Sequence, residues 1–467
     1  MLKYKKVTTE IVAMLQKMLG EKNVSVELDK LQTYSHDEVT DPHYHHLPEV
    51  VVFPENTEQV ATVMKLANKE LIPVVPRGAG TGLVCGAVPD QGGIVLSVEK
   101  LNRIIEINAD EMYMVVEAGV MTQEVQKAAG SVGLLYAGDP CSGDSCSIGG
   151  NVATNAGGTK AVKYGTTRQQ VYSMRVVTPK GDITILGGRL KKNTTGYALE
   201  QLMIGSEGTL GIITEITLKL VTQPKLQMDF LGVFPDTKSA IDTVSKIIKN
   251  GVDPTCVEFM DNDMIRSVEK FTKIQLPHAE SGTYLIIQVE RDNEDAIEDV
   301  AMQIDALCTE NGAVAVLVPD SAEIWKARKS CAEAVRSEDL IHSNDDMVVP
   351  VDKQPIAADA MIRICKKHNA VVRMASHAGD GNMHLSILRG NIAEAEWAAT
   401  LSKIHHEILD VLIPQGGKIS GEHGIGLKKK ALMERYTDPV ELEMMKAVKK
   451  ALDPNSILNP GKIFDIT

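Results

Sequence analysis

Apolar positions along the chain recur with two periods, about 3.6 residues and 2 residues, which mark helices and strands respectively. Residues 8–20 read as a capped helix, with Thr8 or Thr9 at its start, Ile11, Leu15 and Met18 on one face and Gly20 as the stop. Val50–Phe53 is a continuous apolar run closed by Pro54 and predicts a buried strand. Asn56 with Gln59 reads as a capping pair for a helix from Val60 to Lys69, and Ile72–Val75 is the next strand. Strands are also predicted at 94–98, 112–118, 171–178, 182–186 and 212–220, with a short helix at 122–129. Further on, strands at 227–235 and 283–290 alternate with helices at 237–250 and 293–311.

The sharpest local pattern lies at Ser376–His384. Val371, Val372 and Met374 precede it, and Met383, Leu385, Ile387 and Leu388 continue it at strand spacing. Asp380-Gly381 at the centre predicts a two-residue hairpin turn, because both turn positions need positive φ. Counting outward, Gly379 pairs with Asn382, Ala378 with Met383 and His377 with His384. Opposed Cβ atoms are roughly 4.5 to 5.5 Å apart, which suits two imidazoles converging on one metal at about 2.0 to 2.1 Å each. From these residues alone two readings stand level: a polar hairpin, or half of a metal site.

Three glycine-rich clusters share the first half of the chain. Pro76–Gly82 (PRGAGTG) follows a strand, and its alternating glycines let backbone N–H groups approach an anion closely. A dinucleotide GxGxxG fingerprint would need glycine at 83 or 85, where Leu83 and Cys85 stand, so this is not a Rossmann loop. A turn-rich structural loop is the alternative. Ser147–Gly158 (SIGGNVATNAGG) has no Walker lysine and no apolar periodicity, only small polar residues of the kind that wall a long cofactor. Gly205–Gly211 is the third. Together they imply an extended ligand lying across one domain.

Composition narrows the class. With 467 residues, 43% hydrophobic and 24% charged, the chain predicts a soluble protein of two or three domains. No apolar run approaches the roughly 18 residues of a membrane span. Met1–Lys6 carries three lysines but runs into Thr8-Thr9-Glu10, which speaks against a secretory signal and for a cytoplasmic protein. Seven scattered cysteines without zinc-ribbon or cluster spacing read as free thiols, so any iron-sulfur relay belongs to another subunit. A net charge of −13 and 4% aromatics exclude a typical nucleic-acid binder, and Lys428–Lys430 reads as a solvated helix face. Residues 31–46, with His36, His43, His45 and His46, read as an irregular surface segment in preference to a metal site, having no helix or hairpin register. Trp325–Arg328 reads by itself as a solvated helix face.

Six segments, PRGAGTG (76–82), SIGGNVATNAGG (147–158), GSEGTLGIIT (205–214), HAGDGNMH (377–384), GEHGIG (421–426) and NPGKIF (459–464), resemble the FAD-linked oxidase family of D-2-hydroxy acid dehydrogenases. That family includes glycolate oxidase catalytic subunits, D-lactate dehydrogenases and D-2-hydroxyglutarate dehydrogenases. The likeness spans nearly the whole chain and is strong toward bacterial lactate dehydrogenases that use an electron-transferring flavoprotein. It implies an α+β fold: a vanillyl-alcohol-oxidase or PCMH-type FAD-binding domain over 1–220, made of two α+β lobes. An α+β substrate (cap) domain with an antiparallel sheet and the metal site follows over 221–425, and 426–467 returns to the FAD domain.

The same resemblance implies FAD contacts at Arg77, Gly78, Ala79, Gly80, Thr81, Gly82, Ser147, Gly150, Asn151, Thr154, Gly157, Glu207 and Ile212. Relatives with covalent FAD carry histidine where this chain has Thr81, so the FAD is expected to be non-covalent. Arg328 would hold the substrate carboxylate through its planar fork. Glu422 would join His377 and His384 around one divalent metal, iron, zinc or manganese. Adjacent side chains of extended backbone point apart, which would turn His423 away from the metal and toward substrate as the base. The implied reaction is oxidation of a D-2-hydroxy acid, D-lactate foremost, with electrons passed to a protein such as an electron-transferring flavoprotein. Glycolate or D-2-hydroxyglutarate oxidation with a quinone or iron-sulfur partner is the alternative, and a homo-oligomer is compatible with the chain.

Overall fold

Val50–Val52 and Val74–Arg77 are parallel strands joined by the helix Thr57–Glu70, and both pair with Ile94–Ser97 between them. The structure, a computed structural model, describes residues 4–39 and 41–466. Met1–Lys3, with one of the three lysines of the chain start, Thr40 and Thr467 lie outside the described residues. The capping expected at Asn56 is present: its side chain accepts from Gln59 N at 2.9 Å, and Gln59 Oε1 accepts from Glu55 N at 2.7 Å. The helix begins three residues earlier than its apolar periodicity alone suggests, because Asn56 sets the start.

Residue contacts divide the chain into two units, Met1–Gly157 with Gly165–Gln223 and His423–Thr467, and Gly158–Tyr164 with Pro224–Glu422. Patterning and resemblance divide it at 220 and 425; the contacts place the divisions at 223 and 422. They also assign Gly158–Tyr164 to the second unit, which no periodicity in so short a stretch could announce.

In the first unit the short strand Val24–Ser25 completes a four-stranded sheet. A five-stranded antiparallel sheet follows, in the order Ile104–Asn108, Tyr113–Glu117, Ile212–Lys219, Val171–Val177, Ile183–Gly187. One continuous core, including Val60, Met64, Ile94, Met114, Val152 and Ile216, joins the two sheets through their helices. The chain end returns here: Val74 N donates to Ile457 O at 2.8 Å and Asn459 N to Val74 O at 2.7 Å. Lys428–Lys430 does not form a solvated helix face. The helix starts only at Lys430, and Lys429 is buried in the turn before it. Among the described residues no helix is long and apolar enough to cross a membrane.

The second unit is built on a seven-stranded, wholly antiparallel sheet. Its order is Ala315–Leu317, Leu226–Phe234, Thr283–Arg291, Cys256–Met260, Val371–His377, Asn382–Leu388, His342–Val348. Register aligns two adjacent rows on one face. One runs Leu231, Ile286, Glu258, His377, Asn382, Val348, and the other Val233, Tyr284, Met260, Ala375, His384, Asp346. Each row is apolar at one end, where helices Asn262–Thr272, Ser321–Lys329 and Cys331–Glu338 pack, and turns polar beyond it, the first at Glu258, His377 and Asn382 before Val348 and the second at His384 and Asp346.

Lys449 fastens the returning chain end. It is buried, with Nζ 2.6 Å from Asp453 Oδ2, 2.7 Å from Thr209 O and 2.8 Å from Leu458 O. Lys449→Met would leave Asp453 buried without its cation, at a cost of about 3–5 kcal/mol. Faster hydrogen exchange at the Val74 amide, which donates to Ile457 O in the chain end, is the expected readout.

Candidate active site

The hairpin at the centre of the sequence forms, but not in the expected register. His377 pairs with Asn382 and Ala375 with His384, so residues 378–381 make a four-residue loop instead of a two-residue turn. Only Gly381 takes positive φ, at 86°; Asp380 does not. The loop bonds outward to neighbouring strands: Gly379 N donates to Val257 O at 3.0 Å and Val349 N to Gly381 O at 3.1 Å. A tight turn would forfeit both bonds. The shift is by two residues, which preserves the face of every side chain, since strand side chains alternate with period two. His377 and His384 are therefore diagonal neighbours instead of directly opposed ones, with ring centroids 4.9 Å apart and rings edge to face.

A residue absent from the sequence reading organises them. Glu258, fully buried on Cys256–Met260, lies directly opposite His377. Its oxygens are 2.8 and 2.9 Å from His377 Nδ1, and Oε2 is 2.7 Å from Arg328 Nη2. Burial pushes this carboxyl upward, but the charges of His377 and Arg328 together outweigh it and hold it below its ordinary value. A carboxylate accepting from Nδ1–H leaves Nε2 as the outward-facing nitrogen of His377. Arg328 is no solvated helix residue: its side chain is 7% exposed and reaches inward from Ser321–Lys329.

Glu422 completes the group. Its Oε1 is 3.1 Å from His384 Nε2 and 3.4 Å from His377 Nε2, and the three donor atoms lie within 4.8 Å of one another. Ligands at about 2.0–2.1 Å from one ion are about 3.0 Å apart at octahedral and about 3.4 Å apart at tetrahedral angles, so the two separations of Glu422 from the histidines are those of ligands to one cation. The donor set suits such an ion: with Nδ1–H held by Glu258, a neutral His377 would offer its Nε2 lone pair to a cation shared with His384 and Glu422. Burial pushes Glu422 up, yet the two histidines hold it well below the ordinary carboxylate range. Among the described residues this is the one such grouping of histidine, cysteine and acid; the histidines of 31–46 form none. Glu422 and His423 sit on a bend and not on extended backbone, with His423 half-buried. Asp380, within the loop, is pushed up by burial to about 6, with the charge of His377 acting against it.

In the first unit the three glycine clusters come together. Ser147–Gly158 is partly helical: Ile148–Thr154 is a short helix whose cap Ser147 accepts from Gly150 N at 3.4 Å, although its sequence lacks apolar periodicity. A Cβ on Gly78 would stand 2.5 Å from Ser147 Oγ. Gly205 N donates to Val152 O at 3.0 Å and Glu207 N to Ala153 O at 2.7 Å. Ala79 and Gly82 are exposed, and Gly78, Gly80, Thr81, Gly150, Thr154 and Gly157 half-buried. Other residues named for the cofactor are committed to the protein itself. Arg77 donates to His36 O at 2.6 Å and stacks on Tyr34. Asn151 donates to Thr122 Oγ1 at 2.7 Å. Ile212 is buried in its strand. Glu207 accepts from Ile425 N at 2.8 Å and Gly426 N at 2.7 Å, clamping the returning segment.

The family of FAD linked oxidases, C-terminal domain, matches residues 224–463, and the FAD binding domain family matches residues 48–187. The chain belongs to the FAD-linked oxidase family. D-lactate dehydrogenase of Anaerostipes hadrus is 37% identical over 478 residues, covering 98% of each chain. The glycolate oxidase subunit GlcD of Bacillus subtilis (strain 168) is 34% identical, covering 98% of this chain and 97% of its own. D-2-hydroxyglutarate dehydrogenase of Stutzerimonas stutzeri (strain A1501) is 35% identical, covering 96% and 98%. The chain is thus an FAD-linked oxidoreductase of the D-2-hydroxy acid dehydrogenase group.

The fold is PCMH-type. p-Cresol methylhydroxylase with substrate bound superimposes with a TM-score of 0.80 at 18% identity, over 97% of this chain and 96% of that one. An alkyldihydroxyacetonephosphate synthase superimposes with a TM-score of 0.76 at 19% identity, over 98% and 87%. The glycine clusters of this family member fit FAD: backbone is exposed or half-buried along Ala79–Gly82 and Thr154–Gly157, and a Cβ at position 78 would press on the Ser147 hydroxyl. Gly78→Ala would displace the Ser147 cap at about 1–3 kcal/mol. Its expected effect is at least about a fivefold loss of FAD affinity, read as flavin absorbance per protein after gel filtration.

Proposed function

We propose that this oxidoreductase converts D-lactate to the corresponding 2-oxo acid, using dissociable FAD and one divalent metal, and passes the electrons to an electron-transferring flavoprotein. The observation that carries the site is the convergence of His377, His384 and Glu422 beside the Glu258–Arg328 pair. Support for the substrate class comes from relatives of 34 to 37% identity that are named for lactate, glycolate and 2-hydroxyglutarate.

A divalent ion held by His377, His384 and Glu422 would supply Lewis acidity, lowering the pKa of an alcohol brought to it. Bound FAD would supply the hydride acceptor. The chain's own residues do the rest. Arg328 binds the substrate carboxylate through its planar fork, while Glu258 holds that fork and the His377 ring in place. His423, beside Glu422 in the chain, accepts the hydroxyl proton at an imidazole nitrogen as C2 loses hydride, the general-base role open to a neutral imidazole. Loss of one proton and one hydride from the CH–OH group leaves the carbonyl of the 2-oxo acid.

Anaerobic mixing with D- and L-lactate, glycolate and D-2-hydroxyglutarate, watched as flavin bleaching, tests substrate and stereochemistry together. Fastest bleaching by D-lactate is the expected result, and preference for another acid replaces the substrate assignment. His423→Ala is expected to keep FAD and metal while slowing flavin reduction by about 10²-fold or more. Unchanged reduction kinetics would remove His423 from the chemistry.

A further inference from the structure

Glu422 is the one proposed metal ligand that no regular strand carries, yet its carboxylate must meet two strand-borne imidazoles. The strand His342–Val348 is the edge of the seven-stranded sheet. At its end Val348 bridges Lys418 antiparallel, with Lys418 N donating to Val348 O at 2.8 Å. Continued from that bridge, the ladder would set residue 420 opposite Asp346. Instead the pairing stops and the Asp346 side chain takes over. Oδ2 accepts from Gly421 N at 2.9 Å and from Glu422 N at 2.7 Å, and both oxygens lie 3.1 Å from Ser420 Oγ.

Three features single out this carboxylate. It is completely buried, so it occupies a position that disfavours charge unless donors surround it. It lies directly across the ladder from His384, so the residue that holds the loop and the residue that offers an imidazole share one rung. The loop is also pressed onto the neighbouring strand, since a Cβ on Gly421 would stand 2.6 Å from Asn382 Cγ. Charge-assisted bonds to two successive backbone N–H groups fix the peptide planes on either side of Gly421 more tightly than neutral bonds would.

We propose that Asp346 is the positioning residue for Glu422: it locks the 420–422 backbone to the rung of His384, so that the three ligands form one preorganised metal site. Glu258 plays the corresponding part for His377 through the ring nitrogen; Asp346 acts through the backbone. This inference rests on the metal reading above.

The test uses the FAD-loaded full-length protein, stripped of metal with a chelator and titrated with Co²⁺ in the absence of substrate, with the visible cobalt spectrum as readout. The unsubstituted protein is expected to bind one Co²⁺. Asp346→Ala should weaken binding by about 10- to 100-fold and alter the cobalt spectrum, in line with losses seen on removing residues that orient metal ligands. Asp346→Asn, which keeps one acceptor oxygen, should fall between, and Ser420→Ala should bind nearly normally. Should the alanine variant not fold, the asparagine variant decides. Affinity and spectrum unchanged in Asp346→Asn and, where folded, Asp346→Ala would overturn the positioning role while leaving the metal site standing. Absence of Co²⁺ binding by the unsubstituted protein would overturn the metal reading, and this inference with it.

Discussion

The buried carboxylate of Glu258 is the interaction on which the polar cluster of the second unit depends. Taking an ion out of water costs several kcal/mol even after relaxation, and the cost is offset only where charged donors surround it. Here Arg328 arrives from a helix and His377 from the adjacent strand, so one acid joins two elements and fixes both side chains at once. Removing Glu258 would take from Arg328 and His377 the carboxylate that both share. The same acid sets the tautomer of His377, and so decides which nitrogen faces Glu422.

Around that acid the sheet works as a rigid ruler. Side chains from different strands share one rung or neighbouring rungs, so their spacing follows from register more than from rotamers. The polar stretches of the two rows carry Glu258, His377, His384 and Asp346; the apolar ends take the helices that cover the sheet. Sites on regular elements hold their geometry better than sites on loops. Glu422, on a bend, is the exception, and the edge strand binds its backbone by a side chain where the ladder ends.

The first unit meets a different constraint, bringing three glycine-rich segments side by side. Its glycine clusters adjoin through bonds such as Glu207 N to Ala153 O and through the close approach of Gly78 to the Ser147 cap. Several residues expected to touch the cofactor also bond within the protein. Arg77 stacks on Tyr34, Asn151 ties its helix to Thr122, and Glu207 clamps the returning chain.

Much was legible in the chain because it is local. The cap at Asn56, most long strands and helices, and the shared face of His377 and His384 follow from periodicity and turn chemistry, which act over a few residues. The motifs of the glycine clusters and of Gly421–Gly424 carry the family, whose FAD-binding fold the comparisons bear out. Glu258 left one faint trace, a lone acid inside the apolar run Cys256–Met260; Asp346 left none. Tertiary structure alone decided the four-residue hairpin loop, since its backbone bonds go to strands distant in sequence. It also decided the inward turn of Arg328 and the meeting of Glu258 with His377 and of Asp346 with Glu422. Those pairs are separated by 119 and 76 residues. Which residues share a rung of a sheet is set by the pairing of whole strands, and no short stretch of sequence contains it.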